Sequence, residues 1–162
     1  MSLKIDITVE SGAWSQFAQA EAATRAAVDA CVAGAEADVA DDEELSVLLC
    51  DDARIRELNR DFRGLDKATN VLSFPAAATP GVKVLGDVAI AYETVAREAS
   101  DEGKSFGDHY AHMVVHGLLH ILGYDHEADD EAEEMEALER VILNRMGIAD
   151  PHAIGDGDTI TR

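Results

Sequence analysis

"LSVLLCDDARIRELNRDF", residues 45–62, joins two hydrophobic periods without a break. Residues 45–50 are a short, almost wholly apolar run, the pattern of a strand buried within a sheet. Asp51 and Asp52 follow, able to accept from the orphan N–H groups that open a helix. Ile55, Leu58 and Phe62 then recur on one helical face, leaving Arg54, Arg56, Arg60 and Arg63 largely on the others. The stretch therefore reads as a buried strand feeding directly into an amphipathic helix.

Working outward, "MSLKIDITVE" alternates apolar and polar residues as a strand does, and "VLSF" (71–74) and "KVLGDVAIA" (83–91) add two more. Pro75 ends the first of these, and Gly86 inside the second marks a bulge or a close backbone approach. Between the first two strands, "AWSQFAQAEAATRAAVDACVAGA" (13–35) carries Trp14, Phe17, Ala18, Val28, Cys31 and Val32 at helical spacing, which predicts one long amphipathic helix. Further helices are expected over 92–102, from Ser105 to about Leu122, and over 129–146. Ser105 with Asp108 resembles a capping box for the second of these, and Met135, Leu138, Val141 and Ile142 form the apolar stripe of the last. These elements predict an α+β or mixed α/β fold, a single sheet of about four strands surrounded by about five helices. Residues 1–147 read as one domain, and the polar stretch 148–162 as a flexible C-terminal tail.

Of 162 residues, 47% are hydrophobic and 28% charged, the balance of a soluble globular protein. No signal-peptide core and no membrane-length apolar run occurs, so a cytoplasmic, membrane-free protein is expected. Cys31 and Cys50 both fall in apolar runs without metal-ligand spacing and are read as buried thiols. The net charge of −20 disfavours a polyanion partner as a sum, but its distribution is uneven. Eight carboxylates lie between Glu127 and Glu139, on what reads as one solvated helix. Five of the thirteen basic residues lie between Arg54 and Lys67. Salt screens charges more than about 8 Å apart, so this strip can meet phosphates locally, or be no more than a mixed surface helix.

"HGLLHILGYDH" (116–126) places three of the six histidines in one short window. His116 and His120, four residues apart, share a helical face. Gly123 can end the helix in the left-handed conformation and return His126 towards that face. Three imidazoles without a thiolate or a carboxylate cage suit one zinc ion, another divalent transition metal being possible. The metal site is thus expected at the end of a helix in the C-terminal half. His112, one turn earlier, is read as a histidine that supports the ligands from behind or belongs to the core, and Asp125 as a residue that can orient a ligating imidazole. His109 and His152 are expected at the surface. The spacing matches HExxHxxGxxH except at Gly117, where that metallopeptidase pattern requires a glutamate base. A peptidase would need its base from elsewhere, Asp87 or Glu93 being candidates.

Together with "LNRDFRGLDKATNVLSFP" (58–75) and "LGDVAIAYE" (85–93), the histidine block resembles the YbeY family of bacterial endoribonucleases. The resemblance runs from about residue 45 to 147, with the blocks in the family's order. It implies a mixed sheet with surrounding helices and a cytoplasmic, zinc-dependent, single-strand-directed endoribonuclease. The implied role is maturation of ribosomal RNA, especially the small-subunit 3′ end, and ribosome quality control, with RNA and ribosome or small-subunit proteins as partners and no DNA expected. His116, His120 and His126 match the family's metal ligands, and Arg63 its characteristic arginine, associated with activity. Arg56, Arg60 and Lys67 then become candidates for holding RNA phosphates. One departure is Asn70, where the family usually carries aspartate. The alternatives are a metallopeptidase-like hydrolase and a non-catalytic ribosome-assembly factor stabilised by a metal.

Overall fold

The apolar run at 45–50 lies inside a four-stranded sheet, and the other elements are arranged around it. The computed structural model describes residues 3–39, 42–76, 83–124 and 128–150. Its strands are β1 (Lys4–Val9), β2 (Glu44–Cys50), β3 (Val71–Pro75) and β4 (Val84–Ala91), in the spatial order β1-β2-β4-β3. β1, β2 and β4 run parallel, while β3 pairs antiparallel with β4 at the edge. The helices are α1 (Ala20–Gly34), α2 (Asp52–Arg63), α3 (Tyr92–Glu102), α4 (Phe106–Ile121) and α5 (Asp129–Arg145). This is the single mixed sheet with surrounding helices that the sequence predicts.

Strand alternation divides the core in two. Leu45, Val47, Leu49, Val88 and Ile90 join the larger cluster with Val28 of α1, Val114 and Leu118 of α4, and Ile142 of α5. Cys50, Leu72, Ala89 and Ala91 pack with Ile55 of α2 in the smaller one. Asp51 caps α2 by accepting from the Arg54 N–H at 2.8 Å, and the Ser105 hydroxyl caps α4 by accepting from the Asp108 N–H at 3.1 Å. The irregularity foreseen at Gly86 is a bulge: Glu44 pairs with Val84 but Leu45 with Gly86. At φ +157°, a Cβ on Gly86 would lie 2.7 Å from the Phe74 carbonyl oxygen, so β3 approaches there as only glycine allows.

Three expectations need correction. The predicted helix over 13–35 is two elements, a 3-10 turn at Gly12–Gln16 and α1 from Ala20. Tertiary packing breaks it: the Trp14 indole donates to the Cys50 carbonyl at 2.9 Å and sits edge-on to Tyr92, Phe106 and Tyr110. On α5, Val141 is 49% exposed, and the buried positions are Met135, Glu139, Ile142 and Leu143. The acidic helix is therefore not wholly solvated. His109, expected at the surface, is buried at 3% exposure.

Both cysteines are free and buried, as anticipated, and burial pushes each thiol up to about 12. No helix among the described residues is long and apolar enough to cross a membrane. Ile148 packs against the core, its N–H donating to the Leu143 carbonyl at 2.9 Å. Most of the expected tail, residues 151–162 with His152, lies outside the described residues.

Candidate active site

Helix α4 carries three kinds of position. Tyr110, Val114 and Leu118 turn into the core. Gly117 lies against the sheet, where a Cβ would meet Val88 Cγ1 at 3.0 Å, Ser73 Oγ at 3.1 Å and Val71 Cγ2 at 3.2 Å. The Gly117 carbonyl also accepts from the Ser73 hydroxyl at 2.9 Å. His112, His116 and His120, spaced by four, form the third face and are half-buried.

Behind these histidines stands Glu139 of α5, 1% exposed. One carboxylate oxygen lies 2.6 Å from His116 Nδ1 and the other 3.0 Å from His112 Nε2. An ionised carboxylate only accepts, so the His116 contact requires the proton on Nδ1 and leaves Nε2 with its lone pair in the neutral ring. His116 Nε2 lies 3.1 Å from His120 Nε2, with the ring centroids 4.6 Å apart. Two nitrogens bound at about 2.0–2.1 Å to one tetrahedral ion stand roughly 3.3 Å apart, so the pair suits a shared cation.

His112, His116 and Glu139 also bring one ligand atom each within 4.8 Å of one another and could hold a metal ion. Two uses of Glu139 are thus open, as ligand or as the acceptor that orients the ligands. Its distances to the ring nitrogens are those of charge-assisted hydrogen bonds, and its burial behind the rings favours the orienting role. Burial, partly offset by Glu139, lowers the His112 pKa and favours its neutral form.

His116 and His120 line a cavity of about 580 Å³ whose walls include Arg63, Thr69, Asn70, Ser73 and Tyr124. Arg63 comes from the last turn of α2 and reaches the edge strand, where it donates to the Ser73 carbonyl at 2.9 Å. The structure therefore joins Arg63 to two of the three predicted histidines. His126 and Asp125 lie outside the described residues. Before them, α4 closes at Leu122 and Gly123 takes φ +106°, the positive φ expected of it.

Arg56, Arg60 and Lys67 do not line the cavity among the described residues. Arg56 forms a forked pair with Asp66 at 2.8 and 3.2 Å, and Arg60 pairs with Asp61 at 3.0 Å. Lys67 is exposed on the loop after α2. Nor do Asp87 and Glu93 line it; Glu93 instead accepts from the Asp52 N–H at 3.0 Å. Asn70 is engaged on both sides: its amide donates to Glu98 at 2.9 and 3.2 Å, and its oxygen accepts from the Val71 N–H at 2.7 Å. His109 Nε2 meets the same Glu98 at 2.8 Å. Burial pulls the Glu98 carboxyl upward, but the hydrogen bonds from His109 and Asn70 outweigh it and hold the group below its ordinary value.

Sequence reasoning misses Glu139, hidden among seven other carboxylates. The available signal was its position four after Met135 and three before Ile142, on the apolar stripe where a carboxylate needs a partner.

The family described as endoribonuclease YbeY matches residues 8–147 of this chain. The chain belongs to the YbeY family. A relative from Rhodopseudomonas palustris strain BisB18, named endoribonuclease YbeY, is 50% identical over 157 residues, covering 93% of each chain. Another of that name, from Azorhizobium caulinodans, is 53% identical and covers 94% of this chain and 98% of its own. A solution structure of TM1509 from Thermotoga maritima aligns with a TM-score of 0.55 at 24% identity, covering 92% of this chain and 99% of that one. That likeness concerns the fold, and it extends over nearly the whole YbeY domain described above.

Proposed function

We propose that this chain is a cytoplasmic, zinc-dependent endoribonuclease that cuts single-stranded RNA in ribosomal RNA maturation, at the small-subunit 3′ end, and in ribosome quality control. The observation that carries the reading is the cavity in which Arg63 meets His116 and His120, with Glu139 fixing His116 from behind. YbeY relatives named endoribonucleases support the reaction class.

His116, His120 and His126 are the proposed metal ligands, a set of imidazoles that suits zinc. When bound, the ion supplies Lewis-acid polarisation of a phosphoryl oxygen. Glu139 holds His116 in the tautomer that presents Nε2 to the cavity, and it steadies His112 alongside. Arg63 grips the scissile phosphate with the planar fork of its guanidinium and offsets charge gathering on its oxygens. Its contact with the Ser73 carbonyl sets the height of the guanidinium over the edge strand. Asn70, tied to Glu98 and its own strand, shapes the cavity wall. Ribosomal or small-subunit proteins would deliver the substrate to a chain this acidic.

Gly117 argues against the peptidase reading, since it supplies no base and even a Cβ there would press on Val88, Ser73 and Val71. The test is incubation of metal-quantified protein with a single-stranded ribosomal RNA fragment, beside His120→Ala and Arg63→Ala. Cleavage by the wild type alone, lost on chelation, with metal retained by Arg63→Ala, is the expected result. Intact RNA in the presence of stoichiometric zinc and ribosomes would favour the assembly-factor role.

A further inference from the structure

Outside the cavity, an exposed apolar feature at the end of α2 rests against the edge of the smaller core through Phe74. Phe62, in the last turn of α2, is 70% exposed, and Leu65 just beyond it is 49% exposed. Phe62 meets half-buried Phe74 edge to face, with centroids 5.4 Å apart and planes at 62°. The Arg63 guanidinium carbon lies 6.0 Å from the Phe74 ring centroid. Ring, ring and guanidinium thus form a row across the edge strand β3. Its far end is the same Arg63 that lines the cavity with His116 and His120.

We propose that Phe62, backed by Phe74, is a stacking platform for an unpaired nucleobase next to the phosphate held by Arg63. The proposal rests on the RNA-cleaving reading above and adds to it the base-binding subsite and the source of single-strand preference. An aromatic face accepts any base that is free of its own stack, which a base inside a duplex is not. The charge pattern fits: one guanidinium sits at the row's end and exposed Lys67 follows on the next loop, so a polyanionic backbone has cations beside the rings. The size also fits a base better than a protein. A whole aromatic side chain contributes at most about 250 Å², whereas a standard protein interface buries about 800 Å² on each side.

The test uses the full-length, metal-loaded protein and a single-stranded RNA oligonucleotide in which an abasic nucleotide, or 2-aminopurine, is walked along the sequence. Phe62→Ala should raise KM by about 5- to 150-fold, the range for losing one base–aromatic stack. Phe62→Leu should do likewise, and Phe62→Trp should restore binding. The exposed side chain makes little demand on the fold, so the Tm of these variants should stay near that of the wild type. The Phe62→Ala penalty should vanish on the oligonucleotide that lacks the stacked base. 2-Aminopurine at that position should be quenched by the wild type and not by Phe62→Ala. The salt dependence should be unchanged in Phe62→Ala and shallower in Arg63→Ala. Wild-type cleavage with undiminished Phe62→Ala affinity would overturn the stacking site alone and leave the rings to a protein partner. Wild-type protein that neither binds nor cuts RNA would overturn the parent reading as well.

Discussion

Replacing Glu139 separates the stability of the histidine face from its proposed metal binding. In Glu139→Ala both carboxylate oxygens go, and His112 and His116 lose contacts of 3.0 and 2.6 Å. Each hydrogen bond to a charged group is worth about 1.5–3 kcal/mol. Removing the carboxylate also removes its own desolvation cost, which offsets part of that sum. The net loss is about 3 kcal/mol, and at about 2–4 °C per kcal/mol for a chain of this size the Tm of metal-free protein should fall by roughly 10 °C. Glu139→Gln keeps the shape. Its carbonyl can still accept from His116 Nδ1 and its amide can donate to His112, so the apo Tm should move by less than half as much. Zinc affinity should nevertheless fall about 10- to 100-fold, because a neutral acceptor orients the imidazole but enriches its basicity less. Thermal melts in chelator and a competitive zinc titration read the two effects separately. Wild-type zinc affinity in Glu139→Gln, or a wild-type melt in Glu139→Ala, would refute the orienting role.

Further outcomes follow from other contacts. Gly117→Glu, which completes the peptidase-like pattern, should confer no peptidase activity and should cost about 2 kcal/mol or more by overpacking against Val88, Ser73 and Val71; urea unfolding and a casein assay check both halves. Gly86→Ala should destabilise by about 2 kcal/mol or more, since its Cβ would press on a backbone carbonyl at 2.7 Å; a midpoint shift in urea without a change in slope is the expected sign. Glu98 titrates below its ordinary value of 4.5 in the folded chain. Its contribution to stability is therefore full above about 4.5 and lost as pH falls through the lower folded value, because the unfolded chain takes the proton first. Melts of wild type and Glu98→Gln from pH 3 to 7 should show a flatter acid limb in the variant.

Much of this arrangement is legible in the sequence because it is local. The strand at 45–50, the Asp51 cap, the Ser105 cap and the left-handed Gly123 depend on neighbours a few residues away, and each is where its spacing puts it. The i, i+4 histidines are equally local. What escapes is long-range. Trp14 leaves its helical period because Cys50, thirty-six residues on, offers a carbonyl to the indole. His109 is buried because Glu98, itself held by the Asn70 amide, meets it, and Glu139 is buried because two imidazoles on another helix need an acceptor. In both cases a polar residue on an apolar face is intelligible only once its partner is known.

The same reasoning gives the Asn70 departure a physical meaning. Position 70 stands beside Glu98, whose two oxygens already receive His109 and the Asn70 amide. Aspartate in that orientation would set one carboxylate against another, and one of the pair would have to hold a proton or swing away. Asparagine supplies the donor that Glu98 needs, while its own oxygen still accepts from the Val71 N–H as an aspartate oxygen would. The turn leading into β3 is thus preserved, and with it the placement of Ser73, whose carbonyl carries Arg63 and whose hydroxyl ties β3 to Gly117 of α4. Through these bonds the residue at 70 acts on the geometry of the cavity, and a carboxylate at that position is not required for it.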